Sequence, residues 1–86
     1  MIPAEMILGF LHSAKSNGRK VKISGGDHGT KRGLIRELKM EGKVITVDVE
    51  GEVFVLDMNV CEAKTSFFDH RVIHLRGEDQ YKIQLG

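Results

Sequence analysis

Val21-Lys22-Ile23-Ser24-Gly25-Gly26, then Gly33-Leu34-Ile35-Arg36-Glu37-Leu38, then Gly42-Lys43-Val44-Ile45-Thr46-Val47, then Gly51-Glu52-Val53-Phe54-Val55: these four runs, each tied to a glycine, decide the fold of this chain. Val21 and Ile23 alternate with Lys20, Lys22 and Ser24, and Ile45, Val47 and Val49 alternate with Thr46, Asp48 and Glu50. A period of two belongs to a strand with one dry and one wet face. Glu50-Gly51, set between two such runs, predicts a tight hairpin. The spacing predicts strands over 19–24, 31–38, 43–50 and 52–56, with Gly33 as a bend in the second. Met40-Glu41-Gly42 turns the chain, and 58–63 reads as a turn or a short fifth strand. The order is that of a bent antiparallel meander.

Upstream, Pro3 suits the first turn of a helix, where its missing N–H costs nothing. Met6, Ile7, Phe10, Leu11 and Ala14 recur at three- and four-residue spacing and predict one apolar helix stripe. Asn17-Gly18 stops the helix. Gly9 weakens its interior, which predicts either a close neighbour there or a helix that depends on the strands. Downstream, 71–76 and 80–85 read as two strands around Gly77-Glu78-Asp79, with Tyr81, Ile83 and Leu85 on one face. Phe67-Phe68, Tyr81, Ile83 and Leu85 are too apolar for a disordered tail. A lone hairpin is marginal in water, so this one is expected to pack on the strands before it or on a neighbouring subunit. The expected organisation is one domain: helix over 3–17, barrel over 19–63 and a C-terminal hairpin extension over 64–86.

Eighty-six residues bury a modest core. The single cysteine, Cys61, cannot staple the chain and reads as a small buried hydrophobe. With no secretory pattern, it points to the cytoplasm. No apolar run approaches the length of a membrane span.

Net charge is +1, but it is unevenly placed. Residues 15–43 carry nine Lys/Arg against three acids, and residues 44–63 carry five acids and no Lys/Arg. Either the two halves form separate faces, or they lie as adjacent strands and pair across the sheet. Bare strand edges and the charge split together predict a homo-oligomer.

The strand order resembles the Sm/LSm family, which includes the bacterial RNA chaperone Hfq. Its first motif falls on Val21, Ile23 and Gly26, then on Gly33, Ile35 and Leu38. Its second falls on Gly51, Val53, Val55 and Val60. The resemblance spans residues 3–63 and implies a small SH3-like or Sm-like barrel of RNA-associated or regulatory role. The family's RNA contacts are not retained. Lys39 and Lys43 or their neighbours replace its loop Asp and Asn, and Leu56-Asp57 replaces its Arg-Gly pair. The strand-turn-strand ending in Phe54-Val55-Leu56-Asp57 is also similar to the core of WYL ligand-sensing domains, and the chain's size and strand order to the Rho-inhibiting Rof.

Few residue constellations suggest chemistry. Residues 25–31, Gly-Gly-Asp-His-Gly-Thr-Lys, place the hydroxyl before the lysine and lead into a strand, which is not how a phosphate-binding P-loop is written. His70 and His74 are four apart, right for zinc on a helix but too far on a strand. No nucleophile–base set, paired carboxylates or cofactor fingerprint appears, so neither catalysis, a metal nor a cofactor is expected. The candidate site is basic. Lys20, Lys22, Lys31, Arg32 and Arg36 can converge if the first two strands pair, and would then contact the phosphates of single-stranded RNA. Stacking on bases needs exposed aromatics, and the chain has four Phe and one Tyr. That scarcity favours the alternative, a protein-interaction adaptor that docks through its sheet or acidic edge.

Overall fold

The computed structural model describes residues 2–26, 29–65, 72–78 and 80–85. It is mainly β. Helix α1 (Ala4–Ser16) precedes seven strands: β1 (Lys20–Gly25), β2 (Thr30–Glu41), β3 (Val44–Val49), β4 (Glu52–Asp57), β5 (Cys61–Thr65), β6 (Val72–Gly77) and β7 (Tyr81–Leu85). The order across the sheet is β4-β3-β2-β1-β7-β6-β5, antiparallel at every ladder.

The sheet bends because β2 changes partner along its length. Residues 30–34 pair with β1 and residues 35–41 with β3. The register slips between Ile35 and Glu37, so Arg36 is the extra residue of a β-bulge. Bulges kink a strand and sharpen its twist. The bend expected at Gly33 therefore falls three residues later. Gly33 instead makes room for a neighbouring side chain, since a Cβ there would overlap the Glu50 carboxylate. Glu50 sits at positive φ (49°) in the two-residue β3–β4 turn, and its Oε2 accepts a hydrogen bond from the Leu34 amide at 2.8 Å. It thereby satisfies an N–H just beyond the reach of β3.

The two outermost strands, β4 and β5, are joined by only three residues, 58–60. Seven flat strands would hold their edges about 29 Å apart, whereas so short a link spans at most about 14 Å. The sheet is thus curled until its edges meet at one corner. The near-equal extents of 27 × 26 × 24 Å agree. The tail hairpin is no appendage: β7 pairs with β1 along residues 81–85, and β6 joins it to β5.

Alternation fills the inside of the curl. Val21, Ile23, Ile45, Val47, Val49, Phe54, Leu56, Ile73, Leu75 and Ile83 are buried together. Ile7, Leu11 and Ala14 of α1 pack on this cluster, and α1 lies against β2, β1 and β3. The helix face centres on Ala4, Ile7, Leu11 and Ala14, while Met6 is 50% exposed, so the stripe is narrower than its spacing suggests. Nothing lies within 4 Å of a Cβ built on Gly9, which removes the close neighbour as its reason. No helix among the described residues is long and apolar enough to cross a membrane.

Candidate functional site

Cross-strand partners share a face, so the register decides which charged side chains meet. On the outer face of β1 and β2, Lys22 stands opposite Arg32, Lys20 opposite Leu34 and Ser24 opposite Thr30. Lys20, Lys22 and Arg32 are all exposed. The five predicted side chains are not one cluster. Lys31 pairs with Ile23, whose side chain is fully buried, so it belongs to the opposite face. Arg36 lies in the bulge, exposed but beyond the β1 ladder.

The register extends the face on the other side of β1. Lys22 also stands opposite Gln84, and Ser24 opposite Lys82. Lys82 stands opposite His74, and His74 opposite Lys64. One row thus crosses five strands: Thr30, Ser24, Lys82, His74, Lys64. A second carries Arg32, Lys22, Gln84 and Val72, and at the far corner Arg76 faces Glu62. The face therefore presents Lys20, Lys22, Arg32, Lys82, Lys64 and Arg76, with His74 among them and Glu62 as the one acid in these rows. Shallow depressions mark it. One, about 300 Å³, is lined by Glu62, Lys64, Thr65, His74 and Arg76, and another of about 240 Å³ by Ser24, His74, Arg76, Gln80 and Lys82 among others.

The electrostatics of this face run against stability. Like charges directly opposite on a sheet are destabilising, yet Lys22 and Arg32 are so placed, with a further cation, Lys20, on the same face. No aromatic side chain is among the large exposed hydrophobics of the described residues, which are Met6, Leu34, Val53, Val55 and Val60. Among the described residues, the face offers cations and hydrogen-bond donors without stacking platforms.

Sequence reasoning missed Lys64, His74, Arg76, Lys82 and Gln84 as residues of the same face as Lys22. Alternation in 80–85 does turn Lys82 and Gln84 away from Tyr81 and Ile83. What it lacks is the strand order that brings β7 beside β1. His70 of the predicted His pair, Asp27 and His28 of the glycine-rich loop, and Phe67-Phe68 lie outside the described residues. The loop joins strand to strand, with the Gly25 amide bonded to the Gly29 carbonyl at 3.0 Å. Among the described residues, no three His, Cys, Asp or Glu side chains are placed to hold a metal ion.

The other half of the sheet is built differently. Its outer rows are Glu37, Asp48 and Val53; then Lys39, Thr46 and Val55; then Glu41, Val44 and Asp57. The basic and acidic segments are adjacent in the sheet, but no opposed pair joins their charges: Glu37 meets Asp48, and Lys39 meets Thr46. Several acids hold turns instead. Asp48 accepts from the Gly51 amide at 2.7 Å, and Asp57 from the Asn59 amide at 2.9 Å. Comparison with protein-family models, with curated proteins and with solved structures returns no match.

Proposed function

We propose that this chain is a non-catalytic binding module that takes the phosphate backbone of RNA on the outer face of β2, β1, β7, β6 and β5. The observation that carries this reading is the like-charge register: among the described residues, six cations and one histidine on neighbouring rows with a single acid. Such a face releases counterions when it meets a polyanion, and that release drives association. Without aromatic platforms among the described residues, recognition rests on phosphates and tolerates any base sequence. The implied setting is the cytoplasm, and the role is that of an RNA-associated or regulatory protein, as the Sm-like resemblance suggests.

Fluorescence anisotropy with a short single-stranded RNA tests this reading. Affinity should fall as salt rises, with a slope near −0.7 per phosphate contacted. The Lys22→Glu/Lys82→Glu variant should bind at least tenfold more weakly. Equal binding by that variant, or no binding by the parent at low salt, overturns it.

A second reading, a protein-interaction adaptor working through the acidic edge, is favoured by Val53 and Val55. They are 44% and 49% exposed on the outermost strand β4.

A further inference from the structure

We propose that β4 is a self-recognition edge: two copies of the chain pair antiparallel along it, centred on Phe54, and form a two-fold dimer with one continuous sheet. The two edges of the sheet differ. At β5 the outward side chains are Glu62 and Lys64, and the Ile2 amide donates to the Ala63 carbonyl at 3.0 Å. That edge is guarded by charge and partly occupied by the chain's own N-terminal segment. At β4 the central run is Val53-Phe54-Val55-Leu56, with no proline or lysine and no register slip against β3. The devices that protect natural strand edges are absent from this run. Phe54 and Leu56 are fully buried in the chain's own core, while Val53 and Val55 stand in solvent.

The side-chain pattern selects one register. Antiparallel pairing of a strand with its own copy must match outer residues with outer residues. Centred on Phe54, Val53 meets the partner's Val55, Val55 meets the partner's Val53, and Asp57 meets the partner's Gly51. The four valines form one apolar patch. Centred on Val55, Val53 would meet the partner's Asp57, a carboxylate against an apolar side chain. Centred on Val53, Val55 would meet the partner's Gly51 and cover nothing. Only the Phe54 centre pairs both valines with valines.

Stoichiometry follows from symmetry. A strand that pairs with itself makes an isologous contact, which closes at two copies. Head-to-tail growth would need β5 as the complementary edge, and Ile2 already occupies part of it. A ladder confined to residues 51–57 is a small interface, so the dimer is weak and exchanges readily. Asp48 and Asp57 of both copies lie on the same side of the joined sheet. Their repulsion is screened by salt, so the dimer tightens as salt rises.

Sedimentation of the full chain across the micromolar range is expected to show a monomer–dimer equilibrium that shifts toward dimer with added salt. Val55→Lys, at an exposed position, should raise the dissociation constant at least tenfold with melting temperature and RNA binding unchanged. Oxidative cross-linking reads the register, because directly opposed side chains lie within disulfide reach. A mixture of Val53→Cys and Val55→Cys chains should cross-link, and Val55→Cys alone should not. A chain that stays monomeric at the highest concentration overturns the proposal. So does a dimer indifferent to Val55→Lys, an assembly larger than two, or cross-linking of Val55→Cys alone. RNA binding is measured separately on Val55→Lys, so failure of this interface leaves the basic face to be judged by its own variants.

Discussion

The two outer faces of this curled sheet use charge in opposite ways. On β3 and β4 and the second half of β2, carboxylates are engaged in local structure. Asp48 and Asp57 fasten turns, and Glu50 reaches back over Gly33 to the Leu34 amide. On β1, β7, β6, β5 and the first half of β2, cations recur at the outer positions among neutral residues, and Lys22 stands opposite Arg32. Both halves set like charges face to face, Lys22 against Arg32 in one and Glu37 against Asp48 in the other, and the acidic half also ends in an apolar edge strand. Where a fold tolerates such costs, the surface concerned is a candidate for binding. The proposals of a polyanion on one face and a strand on the other rest on this contrast.

A basic face integral to the domain should have the largest effect when it is removed. Deleting residues 65–86 takes away β6 and β7 and strips β1 of a partner. Ile73, Leu75, Tyr81 and Ile83 are buried, and each large side chain contributes about 1.5–3 kcal/mol. Their sum rivals the whole stability expected of so small a domain. Circular dichroism should show no cooperative melt. A truncated chain that melts like the parent would mean that the acidic half folds alone and the basic face is an accessory.

Next in size is Gly25→Ala, at the seam where β1 meets β7. Gly25 has φ 130°, and a Cβ there would overlap the Gln80 carbonyl oxygen. Backbone cannot swing aside as a side chain can, so urea denaturation should show a loss of roughly 2–4 kcal/mol. A loss under about 1 kcal/mol, within the ordinary range for a point substitution, would show that the seam can slide and that the rows of the basic face are not fixed.

A smaller effect belongs to the acidic half. Glu50→Ala removes the carboxylate that caps the Leu34 amide and should cost about 1 kcal/mol. Gly33→Ala pushes the same carboxylate away and should also destabilise. Combined, the two should cost less than their sum, because Glu50→Ala vacates the space that the new methyl needs. Strict additivity in the denaturation midpoints would break the link between Gly33 and Glu50.

How much of this is legible in the sequence follows from range. Alternation around Val21, Ile45, Val47 and Phe54 is local, and it places the strands and the Glu50-Gly51 turn. Helix spacing places α1 but overrates Met6, because nothing in the spacing says how wide the core-facing stripe is. Glycine permits a bend, so the pattern points to Gly33. The structure bends at Arg36, where β2 changes partner, a fact about two other strands. The basic site suffers most. Lys20, Lys22 and Arg32 meet through the neighbouring β1–β2 hairpin, whereas Lys82 reaches them only through pairing of β7 with β1, about sixty residues apart in the chain. Proximity in sequence puts Lys31 in the cluster, but its register opposite Ile23 turns it away.

The smallest expected change in stability separates the two faces most sharply. Lys22→Glu turns the opposed Lys22–Arg32 pair from like to unlike charge, and Glu37→Lys does the same for Glu37 and Asp48. Cross-strand charge pairs contribute about 0.2–1 kcal/mol, so each variant should melt slightly higher than the parent. Their effects on RNA should diverge. Lys22→Glu removes a cation from the centre of the basic face and adds an anion beside Arg32, so affinity should drop roughly tenfold and the salt slope should flatten. Glu37→Lys changes the other face and should leave affinity within about twofold at physiological salt, where fields beyond about 8 Å are screened. Thermal melts and anisotropy titrations on the same two proteins decide the matter. If both variants gain stability and only Lys22→Glu loses RNA, the like-charge register is maintained for binding at the expense of stability. If Lys22→Glu gains stability and binds RNA as the parent does, the basic rows are a solvated surface and the β4 edge becomes the face that defines the protein.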